Sequence, residues 1–385
     1  MATGPVASIG VDGWGVDYGL LDGGGHLVAP PYSYRDLRTE KWEIAAEAIG
    51  ITRLYGVTGI QLMGINTIFQ LAVHDRRELD RAARLLLLPD LLVNHLSDYE
   101  GAERSNASTT GLMDIRTGEW ATELIDEIGV EHSLFPEILT AGRRAGNWQG
   151  VPVHLVGSHD TASAFLGMPG GSSPGSVFVS TGSWVIVGVE RPSVDDSEAA
   201  RTANFSNEAG ALGGTRFLKN VVGFWILEQC RAAWGHPPME QLIDEASSIA
   251  FQVPTFDAAD HRFVNPMDME HEIREATGLS EGIPRGVLVR SVLDSIVDGI
   301  ARVVEEIAAI TGTPTARLAV VGGGARMGLL HVLLARRTGL RVVRGSPEAT
   351  ALGNAVVQGV ALGRFDGIED AREWLEATGE PVTIS

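Results

Sequence analysis

The chain has 385 residues, a length that a prior of about 150 residues per domain divides into two domains. Hydrophobic residues make up 44% and charged residues 21%, the balance of a folded chain with a real core, which excludes global disorder. A net charge of −19 argues against nucleic acid or an anionic membrane surface as a partner. The single cysteine, Cys230, excludes an intrachain disulfide and a cysteine-rich zinc site. No basic and apolar leader opens the sequence, and no run reaches about 18 apolar residues, so a cytoplasmic protein without a membrane span is expected.

Val6 to Asp22 reads as a buried strand, a glycine-punctuated loop and a second strand, with Gly23-Gly24-Gly25 turning the chain into a third at His26 to Ala29. Apolar residues recur at helix spacing over Glu40 to Gly50 and Asn66 to Leu88, and the charge-dense stretch from Asp75 to Arg84 reads as a solvated helix face. Val151 to Gly157 is a short apolar strand. Pro169 to Gly175 is the most linker-like stretch, and a domain boundary is expected there. Beyond it, Ser176 to Ser180 and Trp184 to Val189 form a hairpin about Thr181-Gly182-Ser183. Val287 to Ile310 is the clearest helix. Strand Leu318 to Val321, the turn Gly322-Gly323-Gly324, helix Met327 to Thr338, strand Leu340 to Val343 and helix Ala349 to Leu362 complete an α/β pattern.

Five stretches could carry chemistry. Gly322 to Gly328 is a glycine turn between strand and helix whose backbone N–H groups suit an anion. It departs from the dinucleotide fingerprint because Met327 stands at the third glycine position. Ser158-His159-Asp160-Thr161 ends an apolar strand, where α/β proteins place their chemistry, although taken alone Asp160 reads first as an N-capping aspartate. Gly13-Trp14-Gly15 would let backbone and an aromatic face approach a sugar, or would be a bulge with Trp14 in the core. Thr181-Gly182-Ser183 offers hydroxyls at a hairpin tip, which ordinary turn chemistry also provides. Lys219 and Asn220 are read as polar residues just ahead of a helix, where a solvated N-terminus serves as well as a ligand. The histidines are scattered, without metal-ligand spacing.

Taken together and in order, these stretches resemble the FGGY family of carbohydrate kinases. The resemblance rests on Ile9-Gly-Val-Asp-Gly-Trp-Gly-Val-Asp17, Leu88-Pro-Asp90, Asn106-Ala107, Ser158-His-Asp-Thr-Ala-Ser163, Ser180-Thr-Gly-Ser-Trp184, Asn207-Glu208, Leu218-Lys-Asn220, Val321-Gly-Gly-Gly324 and Leu352-Gly-Asn354. It implies a two-domain actin-like ATPase (ribonuclease H-like) α/β fold with a cleft between the domains. Residues 1–167 would be the sugar-binding domain and 168–385 the ATP-binding domain. It further implies ATP-dependent phosphorylation of a ketose, L-rhamnulose first and L-fuculose as the alternative, with Mg²⁺. Asp160 matches the family's catalytic base; Gly15, His159, Thr161 and Asn220 match sugar-side positions; Ser183, Glu228 and Gly323 match nucleotide-side positions. Family members carry an Asp-x-Gly phosphate motif upstream of the segment matching Ile9-Gly10. The first domain is therefore expected to be incomplete at its N-terminus, with open sheet edges that favour association into a homo-oligomer. A sugar- or nucleotide-binding protein without kinase activity is the rival reading. An NADP-dependent oxidoreductase, suggested by Arg341 and Arg344 after the glycine turn, is a third.

Overall fold

The computed structural model describes residues 4–168, 173–378 and 382–384. The chain divides into two compact units that are discontinuous in sequence. One comprises Met1–Gly167, Glu190–Leu218 and Ala349–Thr378, the other Met168–Val189, Lys219–Glu348 and Gly379–Ser385. Of the linker-like stretch, residues 169–172 lie outside the described residues.

In the first unit, strand Tyr18–Leu21 pairs antiparallel with Arg84–Leu87, from Tyr18 opposite Leu87 to Leu21 opposite Arg84. This corrects the helix expected over Asn66 to Leu88. The segment forms helix Thr67–Ala72, a short helix Arg76–Leu79 whose N-cap Asp75 accepts from the Arg77 N–H, and then the strand. Leu85, Leu86 and Leu87 are all buried. A run buried on both faces carries no periodicity that separates strand from helix. The strand expected at Val6 is reduced to one parallel bridge, Ile9 with Val153, where the Ile9 N–H donates to Pro152 O at 2.9 Å. Farther along, in a register shifted by two residues, Gly13 forms a second parallel bridge with His159, so the glycine-rich segment runs directly beside Asp160.

Helix Asp160–Leu166 lies against helix Ala349–Ala361, and glycine is what lets them approach. A Cβ on Gly353 would stand 1.8 Å from Ser163 O, and one on Gly167 would stand 2.0 Å from Ala349 O. Small side chains, Ala162 and Ser163, are buried in the same contact. Around it Val156, Ala162, Leu166, Val356, Val357, Ala371 and Leu375 close a separate apolar cluster.

In the second unit, strand Arg317–Gly322 runs parallel to Ser176–Thr181 on one side and Arg341–Arg344 on the other. Ser176–Thr181 pairs antiparallel with Trp184–Arg191, and Gly182 N–H closes the turn on Trp184 O at 2.9 Å. Helix Arg285–Thr311 buries Val289, Val292, Leu293, Ile296, Ile300, Val303, Val304 and Ile307, the face its periodicity marks. Gly312, left-handed at φ 66°, ends it. Lys219 and Asn220, read as lying ahead of a helix, are instead inside strand Thr215–Val222; the helix begins only at Trp225. Among the described residues no helix is long and apolar enough to cross a membrane.

His331, in helix Gly328–Thr338, is buried with neither ring nitrogen hydrogen-bonded. Burial, aided by the charge of Arg344, pushes its pKa from 6.5 down to about 4. The neutral ring suits the fold. Its contribution is therefore complete above the unfolded value and lost as pH falls from 6.5 towards 4, about 3 kcal/mol in all. His331→Leu is expected to abolish this loss. In urea unfolding, the variant's stability should fall between pH 7 and pH 5 by about 2 kcal/mol less than the wild type's.

Candidate active site

In the first unit, Asp160 opens its helix at the end of the segment that follows strand Val151–His154. The N-cap is His159, which caps with no side-chain bond, and Asp160 is the first helical residue. An N-capping role is therefore not what this aspartate serves. Its side chain is 44% exposed; Thr161 Oγ1 donates to Oδ1 at 3.1 Å and His159 Nε2 stands 3.7 Å from the same oxygen. The Asp160 N–H donates to Gly13 O at 2.7 Å, fixing the helix start against the glycine segment.

Glu103 holds this segment from beneath. Its Oε2 accepts from the Ser158 N–H at 2.9 Å, Ser158 Oγ at 3.0 Å, the Ser105 N–H at 3.0 Å, and Ser105 Oγ. Ser105 Oγ in turn accepts from the His159 N–H at 3.2 Å. Burial pushes the Glu103 carboxyl above its ordinary value, against the pull of these bonds. Asp90, fully buried behind it, is pushed well up by burial and then by Glu103. Asp12, also on the glycine segment, is raised by burial, with Asn354 opposing and the charge of Asp160 adding. Asn354 Nδ2 donates to Asp12 Oδ2.

Gly15 lies two residues past Gly13, and a Cβ there would stand 2.7 Å from Thr109 Oγ1. Val16 follows at φ 69°, with the Asp17 N–H bonded to Gly15 O at 2.9 Å. That is a strained three-residue turn, and a β-branched residue seldom adopts it. It is held because Thr67 Oγ1 and Gln70 Nε2 both donate to Val16 O, at 2.7 and 3.2 Å. Strain of this kind persists where surrounding bonds over-determine it, typically at functional sites. Trp14 is 49% exposed rather than in the core, and its indole N–H donates to Asp17 Oδ2 at 2.9 Å.

In the second unit, Thr181 ties the hairpin to the glycine turn. It donates through Oγ1 to Val321 O and accepts there from the Gly324 N–H at 2.8 Å. Gly322 must be glycine: its φ is 78°, and a Cβ would stand 2.4 Å from Thr181 O. Gly323 is exposed, with only Thr181 O at 3.9 Å from where a Cβ would be. Ser183 O accepts from the Trp225 N–H at 3.1 Å, placing the start of helix Trp225–Ala233 at the hairpin tip. Ser183, Gly323 and the helix carrying Glu228 are thus brought together. The Glu228 carboxylate is engaged by Arg231 through both oxygens, at 2.7 and 2.8 Å, and Arg231 holds its pKa below the ordinary value. Asn220 is half-buried on its strand.

Sequence reasoning singled out Asp160 and its neighbours but not Glu103 or Arg216, and it named Glu208 only within the matching pair Asn207-Glu208, with no role attached. The signal available was a charged residue inside an apolar or small-residue strand, as Arg216 is in Thr215-Arg-Phe-Leu218.

The pattern of the N-terminal domain of the FGGY family of carbohydrate kinases matches residues 2–167, and that of its C-terminal domain matches residues 177–362. The chain belongs to this family: it is a carbohydrate kinase, a phosphotransferase whose substrates are a sugar and ATP. Its relatives include rhamnulokinase of Bacteroides thetaiotaomicron, 34% identical over 96% of this chain and 79% of that protein. Rhamnulokinase of Klebsiella pneumoniae is 36% identical over 99% and 80%. Among solved structures, a ligand-bound xylulose kinase from Lactobacillus acidophilus superposes with a TM-score of 0.76 at 14% identity, over 99% of this chain and 80% of that one. Plasmodium falciparum glycerol kinase with ADP gives 0.74 at 16% identity, over 96% and 78%. The fold is accordingly the two-domain actin-like ATPase fold of these sugar kinases.

Proposed function

We propose that the protein transfers the γ-phosphoryl group of ATP to the C1 hydroxyl of L-rhamnulose, giving L-rhamnulose 1-phosphate and ADP. The observation that carries the chemistry is Asp160: a half-exposed carboxylate at a helix start, with the Thr161 hydroxyl bonded to Oδ1 and the His159 ring beside it. Oδ2 then serves the incoming hydroxyl. As the sugar oxygen bonds to the γ-phosphorus, its proton passes to Asp160 and the bond to the bridging oxygen of ADP breaks. Phosphoryl transfer asks for in-line positioning and charge stabilisation rather than covalent help.

On this reading the first unit takes the sugar, with Gly15 offering backbone, Trp14 an aromatic face and His159 and Thr161 flanking the base. The second unit takes ATP, through Ser183 and the N–H groups about Gly323, with Glu228 on the adjoining helix. Mg²⁺ comes with ATP. Among the described residues no group of three or more His, Cys, Asp or Glu side chains could hold a metal. Asp12, whose carboxyl is raised in part by the charge of Asp160, would with phosphate oxygens supply the hard oxygen donors that suit Mg²⁺. A cytoplasmic enzyme fits the reduced, buried Cys230, whose thiol burial pushes up to about 12.

The substrate rests on the rhamnulokinase relatives. ADP release with MgATP should be fastest with L-rhamnulose across a panel that includes L-fuculose, D-xylulose and glycerol. A higher kcat/KM for any other member would overturn the choice of sugar while leaving the base assignment standing.

A further inference from the structure

We propose that Glu208 and Arg216, a buried cross-strand ion pair, are positioning residues that hold the His159 ring and through it set the Asp160 carboxylate. The inference rests on Asp160 being the base. Glu208 and Arg216 stand directly opposite each other where Ser206–Ala209 pairs with the start of Thr215–Val222. Their side chains are 4% and 1% exposed, and Arg216 Nη2 lies 3.0 Å from Glu208 Oε2. Arg216 Nε donates to Ala209 O at 3.1 Å, which anchors the guanidinium to the hairpin.

The free side of the pair is turned on His159. Glu208 Oε2 and Arg216 Nη2 both lie 3.3 Å from its Nδ1. Whichever of them bonds Nδ1, the ring is fixed from behind, and Nε2 is the nitrogen left facing Asp160 Oδ1. The backbone of the same residue is fixed by Ser105 Oγ. Burial pushes the Glu208 carboxyl up, but Arg216 and then His159 outweigh it and hold the pKa below its ordinary value. Glu103, Asp160 and Glu190 are the further charges that act on Arg216.

Stability alone is a poor reason to keep such a pair. Desolvating two charges costs about as much as their attraction returns, and apolar replacements are often as stable. What an ion pair provides that apolar packing lacks is a directed hydrogen bond on an imidazole, and misplacing a reacting group by about 1 Å costs on the order of 10²-fold in rate.

The test is a cycle of variants of the full chain, assayed with L-rhamnulose and MgATP. Glu208→Gln is expected to lower kcat about 10²-fold and to move the sugar KM less than about three-fold. In an Asp160→Asn background the same change should cost less than about three-fold, because Glu208 acts through Asp160. Glu208→Gln combined with Arg216→Gln removes the lone buried cation. It is expected to recover the melting temperature and to leave kcat low. Recovery of kcat with stability in that double variant, or an undiminished loss in the Asp160→Asn background, would overturn the proposal. Asp160→Asn with wild-type turnover would instead remove the base assignment, and the positioning role with it.

Discussion

Asp160→Asn is expected to lower kcat by about 10³-fold while changing the KM for sugar and for ATP little. The amide keeps the shape of the side chain and can still take the Thr161 hydroxyl bond. It cannot accept the proton that leaves the sugar hydroxyl. A loss confined to kcat is the signature of an interaction made in the transition state. Asp160 is half-exposed and lies at the helix surface, so the fold should not suffer, and the variant's melting temperature should match the wild type's. Steady-state ADP release against each substrate checks both statements. Turnover within about three-fold of wild type would show that the proton goes elsewhere.

The second large effect is on stability. Gly353→Ala would place a methyl group 1.8 Å from Ser163 O, between two helix backbones that have no flexible side chain to move aside. Overpacking usually costs 1–3 kcal/mol, and a clash with backbone belongs at or above the top of that range. A loss of about 3 kcal/mol corresponds, for a chain of 385 residues, to a fall in melting temperature of about 4 °C. The helix displaced is the one that begins at Asp160, so kcat should fall as well. Gly56→Ala is the control: Gly56 sits in helix Ile51–Thr58 with nothing within 4 Å of an added Cβ. It should be neutral or slightly stabilising by helix propensity. Calorimetric scans of both variants separate the packing effect from the general change of glycine to alanine.

Long single-faced patterns were legible. The apolar stripe of Val287 to Ile310 is the buried face of helix Arg285–Thr311, and the hairpin about Gly182 follows from a glycine and two hydroxyl residues between β-branched runs. The leucine run 85–88 was not legible, because burial on both sides erases period; its strand is set by a partner far away in sequence, Tyr18–Leu21. The same holds for Thr215–Val222, whose charged and polar residues hid a strand paired with Ser206–Ala209. Asp160 could be singled out as a candidate because the motif order around it is specific. The residues behind it could not, since a buried Glu103 or Arg216 looks like any surface charge until the fold brings Ser158 or Glu208 against it.

On the proposed function this chain moves a phosphoryl group from ATP to the C1 oxygen of L-rhamnulose. Phosphorus NMR of a reaction with L-rhamnulose and MgATP tests it most directly. A new phosphomonoester resonance coupled to the C1 methylene protons, growing in step with ADP, is the predicted result. ADP appearing with inorganic phosphate and no phosphomonoester, or a phosphoester on another carbon, would contradict it.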